Sequence, residues 1–311
     1  MARAPTNANK AAYLFLAPFL VVFAVFTLYP LVLSGVLAVQ QTHGPDHARF
    51  VGLDNFIGLA TDPLFHKALG NTIIYTLGSL LIQLPLALGL AMLLNQPSLR
   101  GRWFYRLIFF SPQLMGLVFV AMLAALVFEK RAGLLNQALQ WALDGWLDPE
   151  TAFPWMAVLD GVTWLDFPWL QSFVMPALIL VSLWMYIGYN MVYFLAALQS
   201  IDKSLVEACA VDGAGPVTRF FAVTVPSIRP VASFVVLLSL IGSLQLFELP
   251  YILLDQTAGP QNRGLTIVMY LYQSGFEAGD LGYASAIGWV LALMLVALAL
   301  GQVFIMRREE R

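Results

Sequence analysis

The sequence predicts an all-α integral membrane protein with six transmembrane helices, and three observations carry that prediction. Hydrophobic residues make up 60% of the 311 and charged residues only 11%, against about 25% charged in a soluble domain. Six apolar stretches each reach the roughly 20 residues that a helix needs to cross about 30 Å of hydrocarbon. Lys and Arg gather on alternate sides of those stretches, as they do in a multi-pass chain.

The stretches lie at 13–39, 72–95, 103–128, 174–199, 231–254 and 284–306. They are read as helices because hydrocarbon offers no partner to a backbone N–H or C=O, so each must be satisfied within its own segment. The first stretch is too long for a signal-peptide core and no small-residue cleavage site follows it, so it is expected to remain as a span. Pro18, Pro30, Pro85 and Pro112 fall inside the stretches. Each is expected to bend its helix, with neighbouring groups or water taking up the freed carbonyl.

Orientation follows from the basic residues. Arg3, Lys10, Arg100, Arg102, Arg106, Lys203, Arg219, Arg229, Arg307, Arg308 and Arg311 share one side of the membrane, and Arg49, Lys67, Lys130, Arg131 and Arg263 share the other. Basic loops stay cytoplasmic, so both termini are expected in the cytoplasm. The outer segment 129–173 sets Trp141, Trp146, Trp155, Trp164 and Trp169 among acidic residues, which suits the membrane surface. Residues 133–143 read as a short amphipathic helix within it. A second amphipathic piece, 265–276, is too short to span and is expected to lie flat or re-enter.

Several chemistries are absent. The histidines are His43, His47 and His66, which excludes an H-E-x-x-H zinc site; the pair His43 and His47 has no third ligand nearby, so no metal site is expected. None of Lys10, Lys67, Lys130 and Lys203 stands in G-x-x-x-x-G-K, so any ATP must be bound by another chain. The single cysteine, Cys209, allows no internal disulfide, and a net charge of -2 gives no footprint for nucleic acid. No nucleophile stands with a base, so no catalytic residue is assigned and the chain is not expected to be an enzyme.

The loop at 200–230 carries the strongest pattern. Ser204 and Glu207 form S-x-x-E, a capping box expected to open a helix over 205–212 that stops at Gly213. Pro216 suits the first turn of a second helix, and Pro226 and Pro230 are expected to end it before span five. With small residues Ala208, Cys209 and Ala210, the pair of helices offers either a knob for a groove on another protein or a plain connector.

This loop resembles the membrane subunits of binding-protein-dependent ABC importers. Their pattern is E-A-A, three residues, G, nine residues, I-x-L-P; here it is Glu207-Ala208-Cys209, then Gly213-Ala214 after Asp212, then Val223-Thr224-Val225-Pro226. The departures at Cys209, Val223 and Val225 are small or apolar exchanges. Further stretches, Val51-Gly-Leu-Asp-Asn-Phe56, Gly133-Leu-Leu-Asn136, Phe194-Leu-Ala-Ala-Leu-Gln-Ser-Ile201 and Leu281-Gly-Tyr-Ala-Ser-Ala286, are similar to the maltose and glycerol-3-phosphate branch and extend the resemblance over nearly the whole chain.

The resemblance implies a single permease domain with the type I importer fold in the cell (inner) membrane. It also implies a second permease, two ATP-binding subunits holding ATP and Mg, and an extracytoplasmic solute-binding protein. Glu207, Ala208, Cys209, Asp212, Gly213 and Ala214, within 204–226, would then couple to the ATPase. Span four places Ser182, Tyr186, Tyr189, Asn190 and Tyr193 on one helical face, and on span five Gln245 and Glu248 stand three apart. Tyr186, Asn190, Gln245 and Glu248 are candidates for a sugar or polyol path, or serve as contacts between helices. The rival reading is a proton-coupled secondary transporter using Glu248; it is weakened by the absence of two similar halves.

Overall fold

A computed structural model describes residues 6–42, 48–131, 133–143 and 167–309. His43, His47, Trp146, Trp155 and Trp164 lie outside the described residues, as do Arg3 and Arg311.

In chain order the elements are α1 (Thr6–Phe23), a π turn (Ala24–Leu28), α2 (Tyr29–Ala38), β1 (Gln40–Thr42), β2 (Ala48–Phe50), α3 (Asp54–Thr61) and α4 (Pro63–Asn95). Then come α5 (Arg102–Leu114), α6 (Leu117–Val127), α7 (Leu134–Leu143), α8 (Trp169–Ser172), α9 (Val174–Gln199) and α10 (Lys203–Val211). The rest are α11 (Pro216–Arg219), a π turn (Phe220–Thr224), α12 (Val225–Leu244), α13 (Glu248–Leu253), α14 (Ile267–Tyr272) and α15 (Leu281–Glu309). Among the described residues five helices are long and apolar enough to cross a membrane, or six when the bent pair α5 and α6 counts as one span.

The chain groups into two compact units, Met1–Asp62 with Tyr270–Leu293, and Pro63–Met269 with Met294–Arg311. In the first unit β1 and β2 pair antiparallel with Gln40 opposite Phe50, a hairpin not foreseen from the sequence. The Asn55 amide donates to the carbonyls of Ala38 at 3.0 Å and Gln40 at 2.9 Å, fastening α3 to the end of α2. The Asp62 carboxylate accepts from the hydroxyls of Tyr283, at 2.6 Å, and Tyr270.

In the second unit α9 is central, packing most extensively on α4 and next on α5. Tyr75, Val120, Leu178, Met185, Leu249 and Leu253 make one buried cluster, and Ala87, Met191, Phe194, Leu195, Ile228 and Val235 another. The α5–α9 contact depends on Gly188: a Cβ there would lie 1.9 Å from the Phe109 carbonyl oxygen.

Several helix limits differ from the expected stretches, each for a physical reason. Helix α4 begins at Pro63, well ahead of 72, because proline suits a first turn and the amphipathic residues after it extend the helix. The stretch 103–128 is two helices bent by 97° at Met115 and Gly116. Pro112 cannot donate to Ile108, and the Ser111 hydroxyl takes that carbonyl instead at 2.9 Å, so α5 runs two residues past the proline before it breaks. Pro226 and Pro230 do not end the second loop helix: the chain stays helical from Pro216 to Leu244. The Val225 N–H bonds to Phe220 O, five residues back, and this wider register comes immediately before the missing Pro226 donor. The same device precedes Pro30, where Tyr29 N–H bonds to Ala24 O. The stretch 231–254 is interrupted after Leu244, with Gln245 and Phe247 outside helical geometry.

Candidate functional site

Two features stand out in the second unit, a polar cavity and a protruding helical turn. The cavity lies where α4, α9 and α12 meet. It encloses about 210 Å³ and is lined by Tyr75, Ser79 and Gln83 of α4, Tyr186, Tyr189 and Asn190 of α9, and Ser239, Gly242 and Ser243 of α12. Ser79 is the middle residue of α4, whereas Ser239, Gly242 and Ser243 fall in the last turns of α12.

Hydrogen bonds fix much of this lining. The Tyr75 and Ser182 hydroxyls are 2.5 Å apart. Ser182 gives its proton to Leu178 O at 2.8 Å, which leaves Tyr75 as the donor between them. Ser79 donates to Gln83 Oε1 at 3.2 Å, keeping the Gln83 amide nitrogen for the cavity. Tyr189 and Tyr193 share a hydroxyl contact of 3.1 Å and meet edge to face at 5.1 Å. Ser182 and Asn190 are 0% and 3% exposed, so their polar atoms need protein or ligand partners.

The candidate residues separate at this point. Tyr186 and Asn190 line the cavity, whereas Gln245 and Glu248 are exposed and do not. The expectation that Gln245 and Glu248 are neighbours on one helix is corrected: Gln245 closes α12 and Glu248 opens α13. Tyr75, Ser79, Gln83, Ser239 and Ser243 were missed. The spacing of 75, 79 and 83, and of 239 and 243, places polar groups on one face of an otherwise apolar helix, a signal present in the sequence.

The protruding turn is α10 and α11. The expected capping box is not formed: α10 opens at Lys203, and the Asp202 carboxylate accepts from Ser204 N–H at 2.9 Å. Asp202 therefore supplies the cap, and that backbone N–H, with the Ser204 hydroxyl, holds its carboxyl below the usual carboxylate range. At the other end Ala214 N–H reaches back to Cys209 O at 3.0 Å and Gly213 takes φ +77°, the Schellman closure of a helix. Glu207, Ala208 and Asp212 are exposed, while Cys209 and Ala214 are half-buried. Around them Val211 at 88% and Val217 at 70% exposure present apolar surface on a turn that also carries charge.

Comparison with known proteins places the whole chain. The family model for the inner membrane component of binding-protein-dependent transport systems matches residues 83–310. Over 301 residues the chain is 34% identical to the arabinooligosaccharides transport system permease protein AraP of Halalkalibacterium halodurans, covering 96% of this chain and 89% of that one. Over 300 residues it is 33% identical to the lactose transport system permease protein LacF of Rhizobium radiobacter, covering 96% and 94%. Over 302 residues it is 32% identical to the sn-glycerol-3-phosphate transport system permease protein UgpA of Yersinia pestis, covering 96% and 95%. The crystal structure of a bacterial ABC transporter involved in import of the acidic polysaccharide alginate superposes with a TM-score of 0.78 at 23% identity, over 97% of this chain and 96% of that one. That likeness speaks to the fold, which is the type I importer permease fold.

Proposed function

The chain belongs to the family of inner membrane components of binding-protein-dependent transport systems, and from that premise we propose that it is one of two permease subunits of an ATP-driven importer for a sugar or polyol. The observation that carries the substrate class is the cavity of hydroxyls, amides and tyrosine rings between otherwise apolar helices. Polar groups within spanning helices are retained where they line a path or bind a passenger. Tyrosine rings beside amides match a sugar, which has one apolar face and a rim of hydroxyls. The named relatives serve arabinooligosaccharides, lactose and sn-glycerol-3-phosphate, which supports a carbohydrate or related polyol here.

In this reading the chain supplies half of the pore, with Tyr186 and Asn190 joined by Tyr75, Ser79, Gln83 and Ser243. The turn containing Glu207, Ala208, Cys209, Asp212, Gly213 and Ala214 docks in a groove of one ATP-binding subunit. Closure of the ATPase pair around ATP and Mg then moves that turn and alternates access to the cavity. A second permease completes the pore, and an extracytoplasmic solute-binding protein delivers the sugar. Both termini and the turn face the cytoplasm, as the basic residues suggest. Glu248, exposed and outside the cavity, lends nothing to a proton-coupled mechanism.

The test is uptake and ATPase activity of the reconstituted complex. Glu207→Ala removes an exposed carboxylate from the docking turn; it should leave assembly intact and lower the ATPase activity stimulated by loaded binding protein severalfold. Uptake by this chain without ATP, driven by a proton gradient, would overturn the reading.

A further inference from the structure

The importer reading leaves open what the cavity accepts, and the inference drawn next rests on that reading. The polar lining consists of hydroxyls and amides; among the described residues around it there is no Lys, Arg, Asp or Glu. We propose that this cavity selects for uncharged sugars and rejects those carrying a carboxylate, phosphate or sulfonate.

The chemistry is one of matched donors and acceptors. A sugar hydroxyl both gives and takes a hydrogen bond, and so does each serine and tyrosine hydroxyl. The Gln83 amide nitrogen adds a donor and the Asn190 amide a donor and an acceptor, so a ring of hydroxyls finds partners of both kinds. An anion has no hydrogen to give and needs cations or several converging N–H groups. Here it meets neutral hydroxyls and two amides, with no cation in the lining to offset the loss of its hydration. The volume of about 210 Å³ suits one sugar ring at a time, so the rejection acts on each unit of a longer chain as it passes.

The test uses the purified complex of this chain, its partner permease and the ATPase pair, without the binding protein, so that the latter's own preference does not enter. Equilibrium dialysis compares radiolabelled lactose and maltose with digalacturonate. The wild type should bind at least one neutral disaccharide at least tenfold more tightly than digalacturonate. Gly242→Lys adds a cation at a position where a Cβ meets nothing within 4 Å, and should shift that ratio at least tenfold toward digalacturonate. Ser239→Lys, on a half-buried residue of the same lining, is the second variant and should shift it the same way. Equal binding of neutral and acidic sugar by the wild type, binding of neither, or an unchanged ratio in both lysine variants overturns the proposal. The importer reading fails separately, if loaded binding protein does not stimulate the ATPase activity of the wild-type complex.

Discussion

Replacing Gly213 separates backbone conformation from bulk at the docking turn. The residue sits at φ +77°, and a Cβ built on it would meet nothing within 4 Å. A side chain therefore clashes with no neighbour in the chain, and the whole penalty lies in the left-handed backbone. For Ala that penalty is about 1–2 kcal/mol; for β-branched Val it is at the top of that range or above it, and for Asn it is small. A penalty of one or two kcal/mol changes a conformational ratio about 5- to 30-fold. If the turn relaxes instead, the Ala214 to Cys209 hydrogen bond that closes α10 is lost, and α11 leaves at a different angle. The assay is ATPase activity stimulated by loaded binding protein in the reconstituted complex, across Gly213→Asn, Gly213→Ala and Gly213→Val. Asn should stay near wild type, Ala should fall severalfold and Val about tenfold or more. Equal losses for Asn and Val would mean that bulk in the partner groove matters and the backbone angle does not. Normal activity of Val would mean that coupling does not need this turn.

Three further outcomes are expected. The depressed Asp202 carboxyl contributes to its helix above the unfolded value of about 4 and loses that contribution as pH falls through the lower folded value. Protection of the Ser204 amide against hydrogen exchange should therefore hold from neutral pH to about pH 5 and decline below 4, with Asp202→Asn flattening the decline; an unprotected amide at neutral pH contradicts the cap. Gly188→Ala drives a Cβ into the Phe109 carbonyl, and overpacking of this kind costs about 1–3 kcal/mol or more, so thermal melting of the detergent-purified complex should drop; an unchanged melt contradicts the close approach of α5. Asn190→Leu should lower transport with assembly intact and by more than Glu248→Leu, because Glu248 is exposed and lies outside the cavity; equal effects would place the path elsewhere.

Hydropathy makes the spans legible because hydrocarbon thickness constrains every helix in the same way, and 174–199 coincides with α9. The breaks are not legible from hydropathy, since Met115, Leu246 and Phe247 are as apolar as their surroundings and a single Gly116 or Gln245 also occurs inside helices. What ends α12 is a change of backbone angles at Gln245 and Phe247. Pro226 and Pro230 read as helix stops because a one-residue slip of register has no sequence signature; the π turn at Phe220–Thr224 absorbs it. The cap lies at Asp202 and not at Ser204 for a local reason. Asp202 and Ser204 are both cap formers two residues apart, and the S-x-x-E spacing favours the wrong one. Tyr186 and Asn190 follow from helical period, whereas the α4 and α12 linings require knowing which helices are neighbours.

The unbroken helix from Pro216 to Leu244 has a mechanical consequence. Its 29 residues form a rod about 44 Å long. One end belongs to the protruding turn, and Ser239 and Ser243 stand near the other. A rod carries displacement by rotation, so a push at one end needs only a fulcrum along its length and no succession of side-chain rearrangements. About its midpoint, a tilt of roughly 10° sweeps each end by about 4 Å, comparable to the diameter of a hydroxyl with its hydrogen-bond partner. The gearing is set by where the pivot lies: closer to the turn, the same push sweeps the serines through a wider arc. Stiffness at Pro226 and Pro230 would then matter as much as the chemistry at either end, because a flexible joint there would absorb the stroke.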